Sequence, residues 1–282
     1  MEASGISRFH WPQLSAIDLG LFRSPGPGLG NLMFPIARAL FGQTRHGGEF
    51  VYPTMRQVKL GPFLRFERDK RTYGGVLQPR SAREWQAWFA ARRRRAVDEH
   101  EFDGTQTGVT VRYAGIGRCF HDLDGPSELM RDWLVRNMRG RPSAERFDIG
   151  IHVRLGDFVH ANSAGDAGTQ NGDNVRLSME WYREAFEQAQ RILGVETPSV
   201  VLFTDSDPER VARDLGLREV AADRSQNALA AMLRLAQARL LVTSRSTFSM
   251  WAAYLGNAPA IWDRTYDRAR WIPCRSKLDY EV

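Results

Sequence analysis

The stretch Phe147-Asp148-Ile149-Gly150-Ile151-His152-Val153-Arg154 is apolar at most positions and ends in polar side chains. A short apolar run of this kind is typical of a strand that a parallel sheet buries on both faces. His152 and Arg154 stand two residues apart, so they lie on one face of the strand end. A buried strand rarely carries an arginine unless the arginine is paired or meets an anion. We therefore expect a ligand site where this strand ends.

Alternating strand and helix patterns follow this stretch to the end of the chain. The predicted strands are Val200–Phe203, Leu240–Thr243 and Ala258–Trp262, and the predicted helices are Ser178–Leu193, Pro208–Leu215, Asn227–Arg239 and Thr247–Leu255. Gly194 after the first helix and Asp207 before Pro208 are a typical helix stop and N-cap. This alternation predicts βαβ units and a mainly parallel sheet.

The residues upstream predict a second α/β unit. The apolar residues Ile17–Phe22 are interpreted as a strand, which a glycine-rich loop (24–31) and a helical pattern (33–41) follow. Further helices are predicted over Arg80–Val97 and Ser127–Met138. Gly140-Arg141-Pro142-Ser143 breaks the pattern. We therefore predict an α/β architecture of two lobes, residues 1–140 and 141–282, with a cleft between them.

Composition restricts the class of protein. The chain has 282 residues, 43% of them hydrophobic, and a net charge of +6; only three of its 39 basic residues are lysines. A basic protein attracts anionic ligands, and a phosphorylated substrate fits such a field as well as a polynucleotide does. The two cysteines stand far apart, which argues against a structural zinc site or a disulfide framework. Without a signal-peptide pattern or a long apolar segment, we expect a cytoplasmic protein, with peripheral contact at the inner face of the membrane left open.

The run Arg92–Arg95 is the one feature that suggests a polyanion partner. We interpret it as the solvated face of a helix, with nucleic-acid or acidic-glycan binding as the alternative. Since arginine content is the only support for nucleic acid, no nucleic-acid partner is expected.

Four segments are predicted at strand ends, where doubly wound sheets bind ligands. They are Gly26–Asn31, His152–Asp157, Thr204–Asp207 and Thr243–Ser249. In the first, Gly26, Gly28 and Gly30 let backbone N–H groups approach a phosphate at the start of the following helix. The alternative is a purely structural turn, and the segment lacks the last glycine of the dinucleotide fingerprint.

In the second segment, the planar guanidinium of Arg154 suits a phosphate. Asp157 can hold that guanidinium in place, and His152 can hydrogen-bond a phosphate or a sugar hydroxyl. The alternative is an internal ion pair between Arg154 and Asp157 that only braces the turn.

In the third segment, Asp205 can accept hydrogen bonds from a nucleobase or a ribose, while Asp207 caps a helix. In the fourth, the hydroxyls and N–H groups of Ser246, Thr247 and Ser249 form a second anion site at a helix start. A serine-rich N-cap is the alternative. No third ligand for a metal ion accompanies the two aspartates.

Together these segments resemble the α-1,2-fucosyltransferase family. The resemblance rests on Gly28-Leu29-Gly30-Asn31-Leu32-Met33-Phe34, on His152-Val153-Arg154-Leu155-Gly156-Asp157-Phe158, and on Ser244-Arg245-Ser246-Thr247-Phe248-Ser249-Met250-Trp251-Ala252-Ala253-Tyr254-Leu255. The last motif is the most specific. The chain departs from the family at Leu155, where a second arginine is usual, at Leu32 and at Phe158. In keeping only Arg154, the central motif is similar to that of protein O-fucosyltransferases.

The resemblance implies a GT-B-like fold of two Rossmann-like lobes with a donor cleft between them. It also implies inverting, metal-independent transfer of L-fucose from GDP-fucose to a glycan hydroxyl, commonly C2 of a galactoside. GDP-fucose is a donor substrate, so no cofactor is implied. The implied catalytic residues are Arg154, His152, Asp157 and Asn31, and the implied donor contacts are Gly28, Leu29, Gly30, Asp205, Ser246, Thr247, Phe248 and Ser249. Two alternatives stay open: another nucleotide-deoxysugar donor, and a non-catalytic nucleotide- or glycan-binding homologue, which Leu155 motivates.

Overall fold

The computed structural model describes residues 8–58, 72–141, 143–155, 159–160, 175–273, 275 and 278–282, with backbone alone at 159, 160 and 175. The chain divides into two compact units, Met1–Arg139 and Gly140–Val282. Each unit has a parallel sheet accompanied by helices, so the predicted α/β class is confirmed. The donor cleft stays a prediction. Within the described ranges, no helix is both long and apolar enough to span a membrane.

The first unit contains a four-stranded sheet in the order β2-β1-β4-β3, with every pair parallel. Its strands are β1 (Arg8–Gln13), β2 (Glu49–Phe50), β3 (Arg95–Asp98) and β4 (Val109–Ala114). Its α-helices are α1 (Leu29–His46), α2 (Ala82–Arg92) and α3 (Ser127–Asn137), with a 3-10 turn at Cys119–Asp122. A capping box of Ser81 and Glu84 starts α2.

Strand β1 was missed in the sequence because a buried histidine interrupts its apolar pattern. His10 is fully buried, and its Nε2 lies 2.9 Å from the carbonyl oxygen of Gly47. A carbonyl can only accept, so Nε2 carries the proton and Nδ1 accepts from the Tyr113 hydroxyl at 2.8 Å. These two hydrogen bonds satisfy the ring inside the core.

Two predictions in the first unit are wrong. Ile17–Phe22 is an irregular segment with its large apolar side chains in solvent, and not a strand. The helix predicted over Arg80–Val97 ends at Arg92. Its last residues form β3 instead, where Val97 pairs with Val111 and is buried. For Val97, pairing with a distant strand overrides the local helical pattern.

The second unit contains a six-stranded parallel sheet in the order β12-β11-β10-β5-β8-β9, and a separate pair β6-β7. Its strands are β5 (Phe147–Val153), β6 (Val159–His160), β7 (Val175–Arg176), β8 (Val200–Thr204), β9 (Ala221–Ala222), β10 (Ala238–Val242), β11 (Ala260–Trp262) and β12 (Asp279–Glu281). Its α-helices are α4 (Met179–Leu193), α5 (Pro208–Asp214), α6 (Ala228–Leu235) and α7 (Thr247–Gly256). A 3-10 turn lies at Arg268–Arg270.

The order of this sheet has the doubly wound Rossmann pattern. From β5 the chain proceeds outward to β8 and β9, and it then returns to β10 on the other side of β5 before reaching β11 and β12. The order of the strands reverses between β5 and β10. Ligands bind in such sheets beyond the carboxyl ends of the strands at this switch point.

Local signals in the second unit are largely confirmed. Ser178 accepts a hydrogen bond from the Trp181 amide at the start of α4, and Gly194 ends that helix in the left-handed region. Asp207 caps α5 as predicted. The helix predicted over Asn227–Arg239 ends early, at Leu235, because Ala238 already pairs with Phe147 in the sheet.

Gly256, at the end of α7, lies where only a glycine fits. A Cβ there would overlap the carbonyl oxygen of Ala236 and lie 2.9 Å from its carbon atom. These are backbone atoms between α6 and β10, so they cannot move aside as a side-chain tip does.

We expect Gly256→Ala to destabilise the second unit by about 1–3 kcal/mol through overpacking, although alanine is normally the better helix former. Urea unfolding measures the change. Gly75→Ala is the control, since nothing lies within 4 Å of a Cβ at Gly75. Equal stability of Gly256→Ala and the unsubstituted protein would contradict the close approach.

Candidate functional site

Three of the predicted ligand segments meet at the carboxyl edge of neighbouring strands. Ile151 on β5 pairs with Val242 on β10, and Val153 pairs with Thr204 on β8. All three strands are parallel, so the residues that follow them emerge side by side. These residues lie at the switch point of the sheet.

Arg154 is braced by Asp205. Because Val153 lies opposite Thr204, the next residues of the two strands come together, and Arg154 Nε is 3.2 Å from Asp205 Oδ2. Asp205 Oδ1 accepts a hydrogen bond from the Leu155 amide at 2.8 Å. A guanidinium has five N–H donors, and this ion pair brings the Nε side of Arg154 to the carboxylate. Asp205 therefore orients Arg154, the role that we expected of Asp157, and Asp157 lies outside the described residues.

His152 ties β5 to the start of α7. Its buried Nδ1 lies 2.7 Å from Ser249 Oγ and 2.9 Å from Ser244 Oγ. The ring also packs on Phe248, with 4.8 Å between centroids. Ser249 Oγ accepts from the Ser244 amide at 3.1 Å, so its own proton is available for Nδ1. A neutral His152 that accepts from this hydroxyl at Nδ1 carries its ring proton on Nε2.

The pKa of His152 is lowered from 6.5 to about 3, and burial is the largest cause. The charge of Arg154 lowers the pKa as well, and this effect is larger than the opposite effect of the Asp205 carboxylate. His152 is therefore neutral at physiological pH. A neutral imidazole here can donate one hydrogen bond but cannot supply a positive charge to a phosphate. The positive charge of this site has to come from arginines and from the helix start.

The start of α7 supplies backbone N–H groups at the same edge. Ser246 caps the helix through the Ser249 amide, and Ser244 Oγ lies 2.9 Å from Ser246 Oγ. The interpretation as a serine-rich N-cap thus accounts for Ser246 and for the internal bonds of Ser244 and Ser249. Thr247 and Phe248 are half-exposed in the first turn, where the helix dipole favours an anion.

Three charged residues near this edge were not among the predicted site residues. Arg245 precedes the cap of α7 and donates to Asp263 at 2.6 Å. Asp263 directly follows β11, so the strand-end rule could have found it. Arg176 donates to the carbonyl oxygen of Leu155. No local pattern indicates Arg176, because its proximity depends on where β7 lies.

The glycine segment belongs to the first unit, and its position was partly mispredicted. β1 ends at Gln13, so Gly26–Asn31 does not directly follow a strand, and Leu29, Gly30 and Asn31 are already the first turn of α1. The Leu29 amide donates to the Tyr73 hydroxyl at 3.1 Å, and Gln57 accepts from the Gly26 amide at 3.0 Å. A phosphate at this turn would have to displace these partners. Gly28 precedes the helix without a side-chain cap.

In the described ranges, no group of three or more His, Cys, Asp or Glu side chains is arranged to hold a metal ion. Cys119 is buried, and Cys274 lies outside the described residues. The polar loop predicted at 161–173 also lies outside them.

No protein-family model matches the chain, and a comparison with curated proteins finds no match. Similar solved structures include the fucosyltransferase NodZ from Bradyrhizobium, with 16% identity and a TM-score of 0.46 over 91% of this chain and 95% of that chain. NodZ α-1,6-fucosyltransferase soaked with GDP-fucose has 15% identity and a TM-score of 0.45, over 90% and 93%. POFUT1 in complex with GDP has 11% identity and a TM-score of 0.44, over 90% and 97%. All three likenesses are distant.

The two buried histidines predict a pH dependence of stability. Burial lowers the pKa of His10 from 6.5 to about 4 and that of His152 from 6.5 to about 3. Below pH 6.5 the unfolded chain binds protons on these rings and the folded protein does not. The free energy of unfolding should therefore fall as the pH drops, by up to about 1.4 kcal/mol per pH unit for each ring.

Urea unfolding at a series of pH values from 6.5 downward measures the slope of the free energy of unfolding against pH. His152→Gln and His10→Gln should each flatten it, because glutamine does not titrate. A slope that neither variant changes would contradict the prediction.

Proposed function

We propose that this protein is an inverting, metal-independent fucosyltransferase that moves L-fucose from GDP-fucose to a glycan hydroxyl, with an α-1,2 linkage to a galactoside. The observation that carries the proposal is Arg154, which Asp205 braces beyond the end of β5 at the switch point of a doubly wound sheet. The three motifs that resemble α-1,2-fucosyltransferases support the donor and the linkage.

The role of Arg154 in this proposal is electrostatic. When the bond between fucose and the diphosphate breaks, negative charge develops on the leaving GDP and positive charge on the sugar. A braced guanidinium aimed at the leaving phosphate stabilises that charge without reorganising during the reaction. The start of α7, with Ser246, Thr247 and Ser249, adds backbone N–H groups and the positive end of a helix dipole.

His152 acts in the proposal as a neutral donor. With Nδ1 bonded to Ser244 and Ser249, its Nε2 proton can bind a phosphate oxygen or a sugar hydroxyl. Its pKa of about 3 excludes the imidazolium form near neutral pH. Phe248 packs on the ring and holds its plane.

Leu155 stands where the resembling family has a second arginine. Arg176, far away in the sequence, brings its guanidinium to the Leu155 carbonyl, and Arg245 lies just before α7. We propose that Arg176 supplies the positive charge that Leu155 does not, since the charge of Arg245 is paired with Asp263. The proposal also keeps Asp205 as a contact to the base or ribose, Asp157 beside Arg154, and Gly28–Asn31 as a contact to the donor.

We expect Arg154→Ala to lower turnover about a hundredfold or more, the usual effect of removing one donor from a developing anion. The measurement is release of GDP from GDP-fucose in the presence of a panel of β-galactosides. Retention of most of the rate would rule out the assigned role.

Arg239→Ala is the matched control. Arg239 lies on β10 and binds Asp148 on β5 at 2.7 Å, near the opposite end of the same two strands. Its loss removes an arginine from the same sheet but not from the site, so turnover should stay near that of the unsubstituted protein. The turnover of Asp205→Asn should lie between those of Arg154→Ala and Arg239→Ala. Asparagine keeps the hydrogen bond to the Leu155 amide but replaces the ion pair with Arg154 by a weaker neutral contact.

Thermal shifts with GDP, UDP, dTDP and CDP test the nucleotide. A ligand at about a hundred times its Kd stabilises the folded state by about 2.7 kcal/mol. Of the four nucleotides, we therefore expect only GDP to raise the melting temperature clearly. Preference for another nucleotide would favour a different deoxysugar donor. Binding of GDP without release of GDP from GDP-fucose on any acceptor would favour a non-catalytic binding protein, which the departure at Leu155 motivates.

A further inference from the structure

The first unit presents a row of large apolar side chains to solvent. Ile17 is 57% exposed, Leu19 51%, Leu21 69% and Phe22 42%. Single exposed apolar residues are common on proteins, but a contiguous group of this size marks an interaction surface. We call residues 17–22 the apolar loop.

The apolar loop is held firmly in this conformation. Asp18 and Gly20 alternate with the exposed residues and face the protein: Asp18 Oδ1 accepts from the Thr54 hydroxyl at 2.6 Å and from the Gly20 amide at 2.8 Å. Arg80 donates to the Gly20 carbonyl. The apolar side chains stay in water although the backbone beneath them is fixed, so local disorder does not explain their exposure.

Helix α2 continues the same surface. A Cβ on Gly20 would meet the rings of Trp85 and Trp88, so the loop lies directly on these two tryptophans. Phe89 follows on the same helix, 51% exposed, with its ring 5.0 Å from that of Trp88. The apolar surface thus extends from the loop to Phe89.

Arginines border this surface on the side of Phe89. Residues 82–95 contain five arginines and one glutamate, and that glutamate, Glu84, belongs to the capping box. Arg92 stacks on Trp88 at 4.7 Å and donates to the Asp18 carbonyl at 2.6 Å, which ties helix and loop together. Arg93 is exposed one turn beyond Phe89. Asp18, the only acid between residues 14 and 24, is turned inward.

We propose that the apolar loop, with Phe89, Arg92 and Arg93, is a docking surface for an anionic lipid bilayer. Apolar side chains that enter the interface between head groups and acyl chains, beside arginines that bind lipid phosphates, form the usual pairing of a peripheral membrane surface. Arginine is suited to this position because its stem packs on apolar surface while its head stays among the phosphates.

Charge decides against a second copy of this chain as the occupant. A second copy would offer these arginines no carboxylate within residues 14–24 and 82–95 that is not already bonded internally, and the net charge of the protein is already +6. An anionic bilayer satisfies the arginines and the apolar side chains at once. This inference is independent of the reaction proposed above.

Co-sedimentation of the full chain with vesicles tests the proposal. The protein should bind to vesicles of equimolar phosphatidylcholine and phosphatidylglycerol. It should bind much less to vesicles of phosphatidylcholine alone. The double variant Leu19→Ser, Leu21→Ser should lower the partition coefficient about tenfold. Arg93→Gln should weaken binding to the anionic vesicles only.

Val135→Ser is the matched control, since Val135 is as exposed as Phe22, at 42%, but lies on α3. It should bind as the unsubstituted protein does, and thermal unfolding of every variant checks that the fold is retained. Equal binding to neutral and anionic vesicles, or no binding, would overturn the proposal. So would self-association that the double variant abolishes, since the surface would then join two copies of the chain.

Discussion

The pairing of β5 between β8 and β10 is the constraint on which the candidate site depends. The register places Val153 opposite Thr204 and Ile151 opposite Val242. Side chains alternate along a strand, so a shift of one residue would turn His152 and Arg154 to the other face and into the apolar layer. Such a shift would also separate Arg154 from its carboxylate partner. The buried apolar residues of β5 therefore position the polar ones.

Within this frame, burial assigns different electrostatic roles to neighbouring residues. His152 is enclosed and bonded to serine hydroxyls, so it is neutral and acts as a fixed hydrogen-bonding group. Arg154 is partly exposed and forms an ion pair with Asp205. An ion pair at the rim of a sheet keeps contact with water and avoids most of the desolvation that a fully buried pair suffers. The site thus combines a buried, neutral His152 with a partly exposed ion pair of Arg154 and Asp205.

The excess of arginine over lysine has a structural explanation in many places. Arg38 bonds Glu99 and also the carbonyls of Ala114 and Gly115, and Arg80 bonds the Tyr52 carbonyl. Each planar guanidinium joins several acceptors that helices and strands leave unsatisfied, which a lysine ammonium does less well. Arg92 donates to the Asp18 carbonyl of the apolar loop and stacks on Trp88. Arginine therefore holds irregular backbone in place in this protein.

The sequence by itself determined the α/β class, the helix caps at Ser178 and Asp207, strand β5, and the grouping of three strand-end segments. These depend on periodicity and on local hydrogen bonds, which a single stretch of chain contains. Tertiary structure decided the rest. β1 is a strand because Gly47 and Tyr113 satisfy His10, and the partner of Arg154 is Asp205 because two strands align. The apolar loop was predicted to be a strand because apolar content was the only signal in its sequence. Whether such residues are buried depends on the surface that the rest of the chain provides. Here the loop packs on Trp85 and Trp88, and its outer face stays in water.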